Sequence, residues 1–307
     1  MNTRPPALRD QRGMTLPELL VALLLTLAVV LGGSAALSAA RASHATLDAA
    51  AQLRDSARLV GALLQPLVAQ AGYRDLHAAT LRGSALQPAS HDALAWLAGA
   101  DAVSVVGRTP PAYSASHVNH SDVLVLRTMA SARDDVPYGW SPGAAAPVSD
   151  RAMADCKCTV RATASRGPHE WIDNYLYVSR ESTDAEPALY CGSQGASGSS
   201  FTVQPLVRGV ESFQVLYGVA DHDGRVRHVT AGALASPADW QRVRSLRIGL
   251  VLRSPKAAWV DTRAAAVLYP LGAAYASSAD AGSTFTPPAD GRLRQVVTLT
   301  LALRNAP

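Results

Sequence analysis

The stretch Arg12-Gly13-Met14-Thr15-Leu16-Pro17-Glu18-Leu19-Leu20 decides how this chain is organised. The apolar run Leu19–Ala40 overlaps its end and contains no charged residue. Those 22 residues would form a helix about 33 Å long, close to the thickness of a bilayer hydrocarbon core of about 30 Å. Glu18 therefore lies at the mouth of a membrane-length segment, where a carboxylate costs roughly 2.5–3.5 kcal/mol on insertion scales. A charge in such a place predicts a function and a partner that neutralises it.

Two simpler interpretations of the apolar run compete with this one. A secretory signal would end at a small-residue cleavage site such as Ser38-Ala39-Ala40. A plain signal anchor would only hold the chain in the membrane. The run is longer than the usual signal-peptide core of about 7–15 residues, and neither interpretation explains Glu18.

The positive charge of the chain is concentrated at its start. The 307 residues carry a net charge of +4, and residues 1–13, with three arginines and one aspartate, supply two of those charges. Basic residues before an apolar segment favour a cytoplasmic N-terminus. The remainder is close to neutral and lacks a basic stripe interleaved with aromatic residues, so no nucleic-acid binding is predicted despite a sequence pI of 9.1.

The helix is expected to continue beyond the membrane. Between Arg41 and Ala71 apolar residues recur at steps of three and four, which predicts one buried stripe on an amphipathic helix. Gly72 is a natural helix end. The helix is therefore predicted over residues 14–72, transmembrane over about 19–40. The residues of the stripe are Leu47, Ala50, Leu53, Ala57, Val60, Leu64, Leu67 and Ala71.

After Gly72 the pattern changes to strands and loops, as is typical of half-buried antiparallel sheets. The fold class is predicted to be α+β, a long N-terminal helix packed on a mainly antiparallel β-sheet domain with long loops. Three regions follow: a leader over 1–13, the helix over 14–72 and a globular β-rich domain over 73–307. The predicted strands are Ala102–Val106, Asp122–Met129, Cys158–Thr163, Asn174–Ser179, Val210–Val219, Arg225–Thr230, Val243–Leu252 and Leu293–Leu303.

The three cysteines, Cys156, Cys158 and Cys191, all follow the apolar segment. If they lie outside the cytoplasm, one disulfide and one free thiol is the simplest arrangement. Either Cys156 or Cys158 is a candidate partner for Cys191, and periodicity does not choose between them because they are two residues apart. A loop of about 35 residues closed in this way would stabilise the fold by very roughly 3–4 kcal/mol.

The sequence offers no active site. It contains neither a G-x-x-x-x-G-K-[ST] phosphate loop nor a G-x-S-x-G nucleophile elbow. His117 and His120 would present two imidazoles on one face only in a helix, and their polar, serine-rich surroundings favour a loop instead. The interpretation is therefore a protein that is not an enzyme, with no catalytic residue, no metal site and no cofactor. A membrane-anchored periplasmic enzyme or binding protein is the rival from another class.

The stretch Arg12–Leu19 closely resembles the class III leader of type IV prepilins and type II secretion pseudopilins. In that family a prepilin peptidase cuts after the glycine and methylates the new N-terminal residue. The resemblance implies cleavage between Gly13 and Met14, and N-methylation of Met14. Glu18 stands at the family's glutamate, which implies an assembly salt bridge to the N-terminus of a neighbouring subunit. Met14 stands where Phe is most usual and Pro17 where Ile or Leu is common.

Three later stretches are similar to the PilW-type pilus assembly proteins: Pro205–Gly218, Trp240–Ser254 and Leu301–Asn305. The resemblance covers the first 75 residues and about 200–305. It implies a minor pilin that takes part in initiating type IV pilus assembly within a priming or tip complex. A J-class minor pseudopilin of type II secretion is the close alternative.

The same resemblance implies partners and a location. The partners are the prepilin peptidase, other minor pilins, the major pilin and the inner-membrane assembly platform. The chain would cross the inner membrane once, with a cytoplasmic N-terminus and a periplasmic C-terminal domain, and would enter the pilus near its tip.

Overall fold

The computed structural model describes residues 13, 15–73, 96–106, 112–115, 117–131, 149–160, 172–180, 186–194, 201–257, 266–278 and 280–305. These residues fall into two compact units that divide between Asp48 and Ala49. Helix α1, Leu16–Gln70, supplies the described helix of the first unit and also the opening segment of the second. The second unit otherwise consists mainly of antiparallel sheets.

The described strands are β1 (Leu97–Ala100), β2 (Ser104–Val106), β3 (Ala112–Ser114), β4 (Val123–Thr128), β5 (Ile172–Arg180), β6 (Pro187–Gln194), β7 (Phe201–Arg208), β8 (Val210–Ala220), β9 (Val226–Val229), β10 (Val243–Arg253) and β11 (Arg294–Ala302). In the described part of the chain they form a five-stranded sheet in the order β1-β4-β5-β6-β7, a four-stranded sheet in the order β11-β10-β8-β9, and the pair β2-β3. All the pairings are antiparallel, which confirms the predicted α+β class with a long N-terminal helix.

The predicted stripe of α1 is buried from Leu53 onward. Leu53, Val60 and Leu64 are at most 5% exposed, and they share one apolar core with side chains from both large sheets. Leu47, at the start of the predicted stripe, is instead 65% exposed. Residues 49–70 thus pack on the sheets by the face that periodicity selects, because a helix buries only one stripe of side chains.

The chain passes from the first large sheet to the second at Gly209. The Gly209 N–H donates to Pro187 O of β6 at 2.7 Å, and the Gly209 carbonyl accepts from Arg253 N–H of β10 at 2.8 Å. One residue therefore belongs to the ladders of both sheets. Its φ of +77° and the approach of Arg253 O, 2.7 Å from the position of a Cβ, explain why glycine stands there.

Part of the segment between β10 and β11 packs on the second large sheet at Pro270 and Leu271. Pro270 O lies 2.3 Å from the position that a Cβ on Gly249 would occupy, so only glycine admits this contact. The Arg247 guanidinium donates to Leu271 O at 2.9 Å, and the Thr298 hydroxyl donates to Pro270 O at 2.8 Å. These contacts attach this part of the segment to the sheet.

One predicted strand is corrected. The strand predicted over Cys158–Thr163 is not formed by its described residues, because Cys158 has a φ of +60° and Val160 makes only an isolated bridge to Ala154. Ser236 opens a short helix, α2 (Pro237–Gln241), with a complete capping box between Ser236 and Asp239.

Candidate functional site: the N-terminal end of the helix and the helix–sheet junction

Glu18 lies in the first turn of α1. The Thr15 carbonyl accepts the first helical hydrogen bond from Leu19 N–H at 3.1 Å, so Thr15 is the N-cap. One Glu18 carboxylate oxygen accepts hydrogen bonds from both the Thr15 N–H and the Thr15 hydroxyl, each at 3.4 Å. This is the return half of a capping box, and both bonds are long. The carboxylate is therefore exposed and only weakly held within its own chain.

The predicted cleavage residues, Gly13 and Met14, come shortly before the helix in the sequence. Gly13 is exposed and precedes the helix, and a Cβ at Gly13 would meet nothing within 4 Å. Met14, the predicted methylation site, lies outside the described residues. Packing among the described residues therefore does not require a glycine at position 13.

The first part of α1 exposes its apolar side chains on all sides. From Leu16 to Arg41 every residue is exposed; Leu24, for example, is 67% and Val29 74% exposed. By length and composition α1 is the described helix able to cross a membrane. Uncovered leucine and valine over this length are stable in hydrocarbon and not in water.

The C-terminal end of α1 is fastened to the sheet domain by three separate segments. The Asn305 carboxamide donates to Ala69 O at 2.9 Å and to Ala71 O at 3.2 Å. Gly72 N–H donates to Arg127 O of β4 at 2.8 Å, and Ala154 N–H donates to the Gln70 carboxamide at 3.3 Å. The two Asn305 bonds occupy carbonyls that a helix end leaves without partners. No role was predicted for Asn305, although it lies within a stretch that carries the family resemblance.

A buried ion-pair cluster ties the two large sheets together where they meet at Gly209. Glu211 of β8 accepts from Arg294 of β11 at 2.6 and 3.1 Å and from Arg253 of β10 at 3.3 Å. Glu186, which precedes β6, accepts from Arg253 at 2.7 and 2.9 Å. Side chains of Glu211 and Arg294 are each 4% exposed. We name Glu186, Glu211, Arg253, Asp290, Arg292 and Arg294 the arginine–carboxylate cluster.

The arginine–carboxylate cluster also shifts the pKa values of Glu186 and Asp290. Burial raises the pKa of Glu186, but the hydrogen bonds and positive charges of Arg253 and Arg292 outweigh it, so the net pKa is lowered. Hydrogen bonds from Arg294 lower the pKa of Asp290. Glu186 and Asp290 therefore stay charged at neutral pH, and the cluster holds the two sheets together through paired charges.

Asp122 makes hydrogen bonds to β8 of the kind that a neighbouring strand would make. Its two carboxylate oxygens accept from Ala102 N–H at 3.0 Å and Val215 N–H at 2.8 Å, and its own N–H donates to Phe213 O. Burial raises its pKa well above the ordinary value, although the two backbone N–H groups oppose this shift. Asp122 thus links the first sheet to the second through side-chain bonds, which strand periodicity does not reveal.

The structure resolves which cysteine pairs. Cys156 and Cys191 form a disulfide with Cα atoms 5.8 Å apart, and Cys158 is a free, exposed thiol. Cys156 is held inward because its N–H donates to the Asn174 carboxamide at 2.8 Å. The positive φ of Cys158 turns the chain at that point. The two cysteines are therefore not equivalent positions of one strand.

His117 and His120 lie in a turn, with their rings 4.5 Å apart, and His117 Nδ1 accepts from His120 N–H at 3.0 Å. That bond occupies one of the two ring nitrogens through which His117 could bind a metal. Across the described residues, no group of three or more His, Cys, Asp or Glu side chains is placed to hold a metal ion.

Comparison with known proteins supports the resemblance. Residues 175–305, from within β5 to Asn305, match the family model described as PilW, Type IV Pilus-assembly protein W. A type IV-like pilin from Thermus thermophilus, TTHA1219, is structurally similar with a TM-score of 0.41 and 18% identity, over 83% of this chain and 96% of that one. Comparison with curated protein sequences gives no match. The matched residues contain the Gly209 crossover, the arginine–carboxylate cluster and the clamp of Asn305, and PilW is a family of structural rather than catalytic proteins. Residues 175–305, less than half of the chain, are therefore similar to the PilW family of type IV pilus-assembly proteins.

Proposed function

We propose that this chain is a minor pilin that takes part in initiating type IV pilus assembly, as a subunit of a priming or tip complex. The observation that carries the proposal is Glu18: an exposed carboxylate in the first turn of an uncovered apolar helix. A charge there is costly in hydrocarbon unless a cation meets it. The cationic N-terminus of a neighbouring subunit would be such a cation.

The N-terminal chemistry completes this proposal. A prepilin peptidase would cut between Gly13 and Met14 and methylate Met14. Gly13 is exposed and has no packing role in the described chain, which supports a role in recognition by a peptidase. The products would be a mature helix that starts close to Glu18 and a secondary ammonium group that keeps its positive charge.

The cysteines support a periplasmic sheet domain. A disulfide such as Cys156–Cys191 persists in oxidising compartments and is rare in the cytosol. Together with the arginines before the apolar run, this supports an N-terminus on the cytoplasmic side and a chain that would cross the inner membrane once. The PilW match favours a pilus subunit over a J-class pseudopilin of type II secretion.

Intact-mass measurement of the protein extracted from membranes tests the proposal. The expected result is loss of residues 1–13 and a gain of one methyl group. Gly13→Ala should leave the precursor unprocessed, because the peptidase requires the glycine. A protein that retains Met1, or that starts at Arg41 as a cleaved secretory signal would, contradicts the proposal.

Glu18 is tested separately from the leader. Glu18→Ala should insert into the membrane and be processed but should impair pilus assembly, whereas Thr26→Ala, at an exposed uncharged position of the same helix, should not. Electron microscopy of pili in the two strains measures the difference. Normal piliation with Glu18→Ala removes the carboxylate from assembly.

A further inference from the structure

Among the described strands, β11 is a long edge strand of the second large sheet. It pairs with β10 over nine residues without a register shift, and it ends the strand order of that sheet. The other ends of the two large sheets are less suited to pairing. β1 and β9 have four residues each, and β7 contains Pro205, which has no N–H to donate.

The ladder shows which backbone groups of β11 point outward. Leu303 N–H donates to Arg244 O, so the odd-numbered residues of β11 exchange hydrogen bonds with β10. In an antiparallel ladder the alternate residues direct their N–H and C=O groups away from the partner. These are Val296, Thr298 and Thr300. Within the part of the chain that the structure describes, no hydrogen bond joins their backbone groups to another segment.

The side chains on the core face of β11 are incompletely covered. Val297, Leu299 and Leu301 pack against the main core but are only partly buried, whereas their β10 neighbours Ile248 and Leu250 are fully buried. From Gln295 to Leu303 the strand carries neither a charge nor a proline. In soluble proteins, charged residues and prolines normally protect sheet edges from pairing with another strand. An added strand would complete both the ladder and the core.

We propose that β11 binds an extended strand of another pilus subunit, as an antiparallel or parallel addition to the second large sheet. This inference rests on the proposed function, which supplies the class of partner. Strand addition takes its affinity from main-chain hydrogen bonds and its specificity from alternate side chains. The partner strand must present apolar residues on one face, to cover Val297, Leu299 and Leu301.

The charges beside β11 favour a different subunit over a second copy. Arg304 is exposed at the C-terminal end of the strand. If β11 paired with itself antiparallel about Thr298, Arg304 would lie opposite Arg292, and like charges across a pairing are unfavourable. The fitting partner is a strand with an acidic side chain near Arg304.

A matched pair of variants at Thr300 tests the edge. Thr300→Pro removes an N–H that points outward and that β10 does not use, so the ladder and the fold should survive. Thr300→Val keeps the N–H and loses the same hydroxyl, which is exposed and lies 3.5 Å from Arg247. In full-length protein extracted from membranes with its partners, Thr300→Pro should reduce the co-purified pilus subunit at least tenfold, and Thr300→Val should not. The melting temperature confirms that both variants fold.

Photocrosslinking identifies the occupant. A photoreactive benzoylphenylalanine in place of Ala302, which is exposed on β11, should form an adduct with another pilus subunit. The same group in place of Val203, 41% exposed on the β7 edge, should not. Equal co-purification by the two Thr300 variants, or an Ala302 adduct that is a dimer of this chain, overturns the proposal. If the wild-type protein is neither N-methylated nor associated with any pilus subunit, the proposed function fails as well.

Discussion

Removal of the disulfide should destabilise the sheet domain by a predictable amount. The bond joins Cys156 to Cys191, a separation of 35 residues. In the chain-entropy model, closure of such a loop lowers the entropy of the unfolded state by an amount worth about 4 kcal/mol at 25 °C. Cys156→Ala with Cys191→Ala should therefore cost about 4 kcal/mol, or roughly 10 °C in melting temperature for a domain of this size.

The folded structure around Cys156 should survive the change, which makes the magnitude interpretable. The Cys156 N–H donates to Asn174, and the Asp155 carboxylate accepts from Lys157 N–H, Thr159 N–H and the Ser193 hydroxyl at 2.8–3.0 Å. None of these bonds needs the sulfur atoms. The loss is therefore expected to come mainly from the unfolded chain.

Urea unfolding of the full chain in detergent, followed by the fluorescence of tryptophans such as the buried Trp96, measures the change. Cys158→Ala is the matched control, since this thiol is free and exposed, and it should shift the free energy of unfolding by less than about 0.5 kcal/mol. Reductant should lower the stability of the wild type and leave the double variant unchanged. A loss below 1 kcal/mol in the double variant, or an equal loss with Cys158→Ala, would refute the reasoning.

Three further predictions concern the contacts that join the helix and the sheets. Asn305→Ala should cost about 1–2 kcal/mol and speed amide exchange at the end of α1, because two helix carbonyls lose their donor. Glu211→Gln should cost about 3 kcal/mol in chemical unfolding, because it removes one of the two carboxylates that pair with the buried Arg294 and leaves only Asp290. Burial raises the pKa of Asp122 and of Asp173, so the folded state takes up protons there before the unfolded state does, and the contribution of these two carboxyls to stability should increase as pH falls from 7. His228, whose pKa burial lowers, should contribute a change of the opposite sign. Asp122→Asn should flatten that dependence in unfolding measured against pH.

Each of these has its own control. Arg304→Ala, beside Asn305 but exposed, should leave amide exchange at the helix end unchanged. Asp223→Asn, on the exposed turn after β8, should change stability by less than about 0.5 kcal/mol, in contrast to Glu211→Gln. Below pH 5 the sign should reverse, because carboxylates with a lowered pKa such as Glu186 lose their stabilising charge when they are protonated. A stability difference between wild type and Asp122→Asn that does not change from pH 7 to 5 would contradict the argument for Asp122.

Sequence periodicity predicts the elements whose burial is local and regular. The stripe from Leu53 to Ala71 was predictable because a helix that packs on a sheet must repeat apolar residues every three or four positions. Strands β8 and β10 were predictable for a similar reason, since each carries a long, nearly continuous run of buried residues. Strand β7 was missed because Pro205 and several exposed residues interrupt its pattern, as an edge strand permits.

The contacts that fix the tertiary arrangement could not be predicted from the sequence. Glu211 and Arg294 are separated by 83 residues, and Asn305 and Ala69 by 236, so no local pattern links them. The choice between Cys156 and Cys158 depends on a backbone turn at Cys158 that has a φ of +60°. Packing between elements sets such positions, and the spacing of apolar residues along the sequence does not reveal them.

The stretches that carry the family resemblance contain contacts that join the helix and the two large sheets. Pro205–Gly218 contains the sheet crossover at Gly209, Trp240–Ser254 supplies β10 with Arg253, and Leu301–Asn305 ends at the clamp on α1. Similarity in these stretches therefore reports a shared architecture. The choice of partners must depend on groups that the fold leaves unused. By that criterion the Glu18 carboxylate and the outward backbone of β11 are the groups to test, because each is exposed and neither is needed to hold its own domain together.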